Sequence, residues 1–197
     1  MWKRCVEFNL EEEKMSKLGI FMADGCEEIE GLTVVDLVRR AGIEIEMISV
    51  SGNDTVTGSH KIAFQTDVKK ADADYASYDG IVLPGGMPGT THLMEDEAVN
   101  RVIKEFAQDG KLVAAICAAP SVLGNAGLLE GKTATCYPGV EGKLTGANFV
   151  TDSVAKDGNI ITSRGLGTAI DFAAEIVDYL KDEAAAKALK ESIVYKR

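Results

Sequence analysis

Cys117 is the residue whose position in this sequence best suits nucleophilic chemistry. It directly follows an apolar run, residues 112–116, and Pro120 stands three residues later. The run predicts a strand buried on both faces, and proline is favoured in the first turn of a helix. A side chain at such a turn points out of the carboxyl end of the sheet, where free helix N–H groups favour a thiolate.

This turn would have the geometry of the serine-hydrolase nucleophile turn, with sulfur in place of oxygen. The competing interpretation is an inert thiol, because cysteine is among the most buried residue types.

Glu30 is the predicted partner of this sulfur. It lies on the apolar side of a predicted helix, next to Glu27 and Glu28, and the helix dipole alone accounts for one or two of these carboxylates. A carboxyl group turned toward the strand ends would lose contact with water, so its pKa would rise. A protonated Glu30 would donate a hydrogen bond to Cys117, lower the pKa of the thiol and act afterwards as acid or base.

Backbone N–H groups beside the sulfur form the third part of the predicted site. Gly85 and Gly86 follow another apolar run, residues 80–83, and lack side chains that would block their N–H groups. Together with the N–H group of Ala118 they would form an oxyanion hole. The alternative is that Pro-Gly-Gly is only a turn.

The segments that must position these residues alternate between strand and helix patterns. Strands are predicted from apolar runs at residues 18–22, 80–83, 112–116 and 160–163, and from the alternation of apolar and polar residues at 43–50. Helices are predicted where apolar residues recur every three or four positions, at residues 29–41, 97–108 and 168–180. Residues 67–78 predict a loose helical connection. This alternation predicts an α/β fold with a mostly parallel sheet and helices on both faces, whose strand ends collect ligands.

Composition limits the partners of the chain. A formal net charge of −10 argues against nucleic acid as the main partner and against an anionic membrane surface. No apolar run reaches the length of about 18 residues that a membrane span needs. Four scattered cysteines without C-x-x-C spacing, and only two histidines, predict reduced thiols in the cytoplasm rather than disulfides or a structural metal site.

The domain organisation is predicted to be simple. Residues 1–16 are interpreted as a leader, either disordered or preceding a second start at Met15, and their glutamates do not suit a signal peptide. Residues 17–197 are long enough for one domain and too short for two.

Five motifs, taken in order, resemble the DJ-1/ThiJ/PfpI superfamily and specifically its DJ-1 branch. They are A-D-G-C-E-E-I-E at 23–30, V-D-L-V-R-R-A-G at 35–42, V-L-P-G-G at 82–86, A-A-I-C-A-A-P at 114–120 and T-S-R-G-L-G-T at 162–168. The resemblance implies a flavodoxin-like sandwich of the class I glutamine amidotransferase type, and a homodimer. By position, Cys117 would be the oxidisable nucleophile and Glu30 its protonated partner. The amides of Gly86 and Ala118 would hold an oxyanion or a sulfinate.

The sequence departs from this family pattern at two positions. Many relatives have a histidine where this chain has Tyr137, and a phenol is a poor base at neutral pH. The protease-like branch has histidine directly after the cysteine, and here that residue is Ala118, which disfavours peptidase chemistry.

Two further residues are possible accessories. His60 falls where some relatives have an arginine near the dimer interface, although a surface histidine is the simpler interpretation. Cys26 would form a disulfide with an oxidised Cys117, unless it is a small core residue.

Two functions from different classes follow from this reading. The first is a cofactor-independent enzyme of the glyoxalase III or protein deglycase type, in which Cys117 attacks a reactive dicarbonyl or its early adduct on a protein and Glu30 moves the proton. The second is a redox sensor or stress-response chaperone that works through oxidation of Cys117. A catalytically inactive binding module is the third alternative. The first chemistry needs neither an organic cofactor nor a metal.

Overall fold

The computed structural model describes residues 15–196 of the chain. The strands of this part are β1 (Lys17–Met22), β2 (Glu44–Ser49), β3 (Thr55–Thr57), β4 (Ala63–Gln65), β5 (Val68–Lys69), β6 (Gly80–Leu83), β7 (Leu112–Ile116), β8 (Thr133–Ala134), β9 (Asn148–Phe149), β10 (Val154–Asp157) and β11 (Ile160–Ser163). Its α-helices are α1 (Glu28–Arg40), α2 (Gly89–Glu95), α3 (Glu97–Gln108), α4 (Pro120–Asn125), α5 (Ala169–Leu180) and α6 (Glu183–Ser192). The predicted leader, residues 1–16, falls almost wholly outside the described residues.

A seven-stranded sheet forms the centre of residues 15–196, in the order β10-β11-β7-β6-β1-β2-β5. Every neighbouring pair in it is parallel except β10 and β11, which are antiparallel. The predicted α/β class with a mostly parallel sheet is therefore confirmed. Strands β3 and β4 form a separate antiparallel hairpin, whose loop reaches the start of α1.

Helices cover both faces of this sheet because its strands alternate their side chains between two apolar cores. In β7, Leu112, Ala114 and Ile116 pack into the core that contains α1 and α5. Val113 and Ala115 of the same strand pack into the core that contains α3. A strand buried on both faces reads as a continuous apolar run, which is the pattern that predicted it.

The structure departs from the sequence-based expectation between β4 and β6. Residues 67–78 were expected to be loosely helical. Instead, Val68 and Lys69 form the short edge strand β5, paired with Ile48 and Ser49, and a single 3₁₀ turn follows at Tyr75–Ser77. A strand of two residues is too short to show the alternation that identifies strands.

The C-terminal helix α6 packs against the body of the protein. Ala186 and Leu189 of α6 are buried in the core shared with α5. Lys190 of α6 donates to the Asp171 carboxylate of α5 at 3.1 Å, and the Tyr195 hydroxyl donates to the same carboxylate at 2.9 Å. In residues 15–196, no helix has both the length and the apolar character needed to cross a bilayer.

Candidate active site

Cys117 occupies a strained position between β7 and α4. Its φ is +65°, in the left-handed region that residues with a side chain rarely adopt. Its N–H group donates to the carbonyl of Ser163 at 2.9 Å, and its carbonyl accepts from the N–H group of Tyr137 at 2.8 Å. These two bonds hold the turn in place, and they leave the Cys117 side chain partly exposed at the carboxyl edge of the sheet.

Glu30 lies beside this sulfur, in the first turn of α1. The side chain is almost completely buried, with 1% of its surface exposed. One carboxyl oxygen accepts the N–H group of Gly85 at 3.0 Å, the N–H group of Leu166 is a second backbone donor, and the carboxyl group is hydrogen-bonded to the side chain of Cys117. The structure thus brings together two residues that are 87 positions apart in the sequence.

The two groups perturb each other's ionisation. Burial raises the pKa of Glu30 to about 7, although its hydrogen bonds with Cys117 and Gly85 act in the opposite direction. Burial and the charged Glu30 carboxylate raise the pKa of the Cys117 thiol to about 12. Glu30 and Cys117 are therefore not ionised together near neutral pH, and the ionisation of each depends on the other.

Two backbone amides act on the sulfur in the direction of a thiolate. The N–H groups of Gly86 and Ala118 donate to it and lower its pKa. When Glu30 is protonated, its repulsive charge disappears while these two donors remain. A thiolate at Cys117 therefore requires the proton to be on Glu30 in addition to these two donors.

Gly85 does not have the role that the sequence suggested for it. Its N–H group was expected to contribute to an oxyanion hole, but it already donates to Glu30. A Cβ atom at Gly85 would stand 2.6 Å from the Cβ atom of Cys117, so no larger residue fits between the two strands at this point. Gly85 therefore positions Glu30, and the amides of Gly86 and Ala118 remain beside the sulfur.

Tyr137 lies at the edge of the site and is 52% exposed. Its backbone is bonded to Cys117, and its ring lies 3.3 Å from the place that a Cβ atom on Gly165 would occupy. The same place is 3.8 Å from Glu30 Oε1. Because Gly165 has no side chain, the phenol ring of Tyr137 and the Glu30 carboxyl group can both lie close to its backbone.

The other two predicted accessories are Cys26, which lies in a core environment, and His60, which contacts carboxylates. Cys26 is fully buried in the core around α1, and burial together with the charge of Glu28 raises its pKa to about 12. This environment is that of a core residue rather than a resolving cysteine. His60 lies on the loop between β3 and β4, where its Nδ1 atom faces the carboxylates of Glu27 and Glu28.

Sequence reasoning missed the role of Leu166, whose N–H group helps to hold Glu30. It also missed the burial of Glu28, which has no exposed surface. The motif at 162–168 was the available signal for Leu166. A charged residue at a helix start gave no signal for complete burial.

An open parallel sheet that presents a cysteine turn at its carboxyl edge places the chain in the flavodoxin-like α/β class. The family model described as "DJ-1/PfpI family" matches residues 16–179, and the chain belongs to this family. It is 38% identical to Protein dj-1beta of Drosophila melanogaster over 163 residues, which cover 82% of this chain and 87% of the relative. It is also 38% identical to the Parkinson disease protein 7 homolog of Danio rerio over 183 residues, covering 90% of this chain and 96% of the relative.

Solved structures are similar over nearly the whole chain. The crystal structure of Drosophila melanogaster DJ-1beta superposes with a TM-score of 0.89 at 34% identity, covering 93% of this chain and all of that one. The structure described as oxidized Toxoplasma gondii DJ-1 superposes with a TM-score of 0.89 at 32% identity, covering 92% of this chain and 100% of that one.

Proposed function

We propose that this protein is a cysteine-dependent stress-protection enzyme that acts on reactive dicarbonyls or on their early adducts with proteins. Methylglyoxal is the simplest substrate of this class. The reaction would be of the glyoxalase III or deglycase type, with Cys117 as nucleophile and Glu30 as the group that moves protons. The reaction uses side chains of this chain alone, and the residue after the cysteine, Ala118, does not suit a peptidase.

The first half of the reaction forms a bond between sulfur and carbon. Glu30 accepts the thiol proton of Cys117, and the sulfur adds to the aldehyde carbon of methylglyoxal. The aldehyde oxygen becomes an oxyanion, which the N–H groups of Gly86 and Ala118 would stabilise once the sulfur is bonded to carbon. Protonation of this oxygen by Glu30 gives a hemithioacetal.

The second half rearranges the adduct and releases it. Glu30 removes the hydrogen of the former aldehyde carbon as a proton, and the electron pair moves toward the neighbouring ketone to give an enediol. Reprotonation of the former ketone carbon then leaves a lactate thioester on Cys117. Water then hydrolyses the thioester and the thiol is regenerated. The overall change is the addition of one water to methylglyoxal, which gives lactate without an external oxidant or reductant.

The observation that carries this proposal is the contact between Cys117 and Glu30. A carboxyl group with a pKa of about 7 exchanges protons readily near neutral pH, as a general acid–base catalyst must. The left-handed backbone of Cys117 keeps the sulfur at the sheet edge, where a small carbonyl compound reaches it.

Lactate formation from methylglyoxal tests the proposal. C117S should reduce turnover to background, and E30Q should reduce it by about a hundredfold or more, since glutamine keeps the shape but transfers no proton. C26A is the matched control, because it removes a thiol that is buried away from solvent, and its turnover should stay near that of the wild type. Unchanged turnover in E30Q, or the absence of lactate with the wild-type protein, would contradict the enzymatic proposal.

Redox sensing through Cys117 is the second candidate. A sulfinate at this position would accept hydrogen bonds from the N–H groups of Gly86 and Ala118 and from protonated Glu30. One solved relative is described as oxidized Toxoplasma gondii DJ-1. Each added oxygen comes from one peroxide molecule, which is reduced to water. If methylglyoxal is not turned over while mild peroxide adds two oxygen atoms to Cys117 alone, by peptide mass spectrometry, the sensor function is favoured.

We further propose a cytoplasmic homodimer. Large apolar side chains are exposed around the site, namely Ile29, Met87, Tyr137 and Leu166. Exposed apolar side chains next to site residues would be covered if this face is an interface, and a second copy there would shelter the sulfur from solvent. Sedimentation equilibrium should give twice the mass of the chain. A monomer at micromolar concentration would contradict this part of the proposal.

A further inference from the structure

A second group of ligand-type side chains lies where the loop between β3 and β4 crosses the start of α1. Glu27 and Glu28 come from the helix start, and Ser59 and His60 come from the loop. The N–H group of Ser59 donates to the carbonyl of Cys26 at 2.8 Å, and the N–H group of His60 donates to the Glu28 carboxylate at 3.0 Å. The loop is thus fastened to the helix start by its own backbone.

Four polar atoms of this group lie close together, and five of their six separations are between 3.1 and 3.5 Å. His60 Nδ1 lies 3.3 Å from Glu27 Oε2 and 3.4 Å from Glu28 Oε2. Ser59 Oγ lies 3.5 Å from Glu27 Oε2, 3.3 Å from Glu28 Oε2 and 3.1 Å from His60 Nδ1. A tetrahedral ion with ligands at about 2.0 Å requires ligand–ligand distances of about 3.3 Å. Five of the six separations therefore match such an ion, and the two carboxylate oxygens lie within 4.8 Å of each other.

The charge of the group favours a cation as well. Glu28 has no exposed surface. Its carboxylate accepts the N–H group of His60 at 3.0 Å and that of Ile62 at 3.4 Å, and such donors favour the ionised form. In the described part of the chain, no lysine or arginine forms an ion pair with Glu27 or Glu28, and the imidazole of His60 is their sole ion-pairing partner.

We propose that Glu27, Glu28 and His60 bind one zinc ion, with the hydroxyl group of Ser59 at the fourth vertex. The imidazole nitrogen favours zinc over magnesium or calcium, which prefer all-oxygen sites. The spacing of the sequence could not indicate this site, because His60 lies 32 residues from Glu28 and only the fold brings them together. The reaction proposed for Cys117 does not depend on it.

An alternative explains the same contacts without a metal. A protonated His60 between two carboxylates is an ordinary ion pair. H60R separates the two explanations, because arginine keeps the positive charge and the carboxylate contacts but has no lone pair for a metal. H60A removes both, and H92A is the matched control, since His92 is the other histidine of the chain and contacts the carbonyl of Asp24 instead.

Titration with zinc chloride, in competition with a chromophoric chelator, tests the proposal on full-length C5S/C117S protein, from which two competing thiols have been removed. One equivalent of zinc should bind to this protein and to its H92A derivative. Binding should weaken about tenfold or more in the H60R, H60A and E27Q derivatives, because each loses a ligand. Cobalt(II) should give the visible absorption of a tetrahedral site without a sulfur-to-metal charge-transfer band.

Thermal unfolding provides a second readout. Zinc should raise the unfolding midpoint of the C5S/C117S protein and of its H92A derivative. It should not raise the midpoint of the H60R derivative. Without zinc, the H60R derivative should unfold at the same midpoint as the C5S/C117S protein. Zinc binding of equal strength in H60R, or no stoichiometric binding to the C5S/C117S protein, would overturn the proposal. Because the thiol at 117 is absent in every protein tested, this outcome is independent of whether the proposed enzymatic activity exists.

Discussion

Replacing Glu30 by glutamine should make the protein more stable at neutral and alkaline pH. Burial raises the pKa of Glu30 to about 7 from an ordinary value of 4.5, so the folded state binds this proton more tightly than the unfolded state. The stability that this proton contributes is fully present below about pH 4.5 and is lost as the pH rises through about 7. Glutamine has the shape of the protonated carboxyl group and no charge, so E30Q does not undergo this loss.

The magnitude follows from the two pKa values. The difference between 4.5 and about 7 corresponds to about 3 kcal/mol, at about 1.4 kcal/mol for each pKa unit. No reduction for solvent screening applies, because only 1% of the Glu30 surface is exposed. Glutamine can also keep two of the three partners of the carboxyl group, accepting from the N–H group of Gly85 and donating to the sulfur of Cys117. We therefore expect E30Q to gain about 3 kcal/mol relative to the wild type.

Urea unfolding of the wild type and E30Q at a series of pH values from about 5 to about 8 measures this difference. The difference in unfolding free energy should grow in favour of E30Q from about pH 5 to about pH 7 and then level off. E105Q is the control, because the carboxylate of Glu105 is exposed and its replacement should leave the pH dependence of the wild type unchanged. A difference between wild type and E30Q that does not vary with pH would refute the raised pKa of Glu30.

Three further predictions concern the elements around the sulfur. Gly86 and Gly52 both have positive φ, but a Cβ atom added at Gly86 would lie 2.1 Å from a backbone nitrogen, whereas one added at Gly52 would meet nothing within 4 Å. In urea unfolding, G86A should therefore lower the free energy of unfolding by about 1 to 3 kcal/mol more than G52A does. Iodoacetamide near neutral pH should alkylate Cys117 well before the buried Cys26, measured by peptide mass spectrometry, and equal rates would show that exposure does not control reactivity here. Y137H should speed alkylation of Cys117 several-fold near pH 7 by supplying a base next to the turn, and an unchanged rate would mean that the ring at this position does not reach the sulfur.

The cysteine turn and the parallel sheet could be predicted because both depend on local sequence. An apolar run buried on both faces, followed by a cysteine and a helix-starting proline, specifies the strand, the turn and the helix within ten residues. The strand of two residues, β5, could not be predicted, because its pairing with β2 leaves no periodic signal.

The hydrogen bonds of the site could be predicted only in part. Whether the N–H group of Gly85 faces an oxyanion or a carboxylate depends on a side chain 55 residues earlier in the chain. In the same way, the partners of Glu28 come from a loop more than 30 residues later. Contacts of this kind are set by packing, and a single sequence does not record them.

The helix start at residues 27–30 shows how one local pattern yields carboxylates of opposite character. Glu28 and Glu30 are both buried, yet the pKa of Glu28 lies below its usual value and that of Glu30 above it. For Glu28 the hydrogen bonds from backbone N–H groups and from His60 outweigh the effect of burial, whereas for Glu30 burial outweighs the hydrogen bonds with Cys117, Gly85 and Leu166. Glu28 is thereby fixed as an anion suited to holding a cation, and Glu30 is set to exchange a proton near neutral pH. The charge of Glu27 is one of the causes that raise the pKa of Glu30, so a cation bound at Glu27 and Glu28 should lower that pKa and shift the stability profile of the wild type toward lower pH.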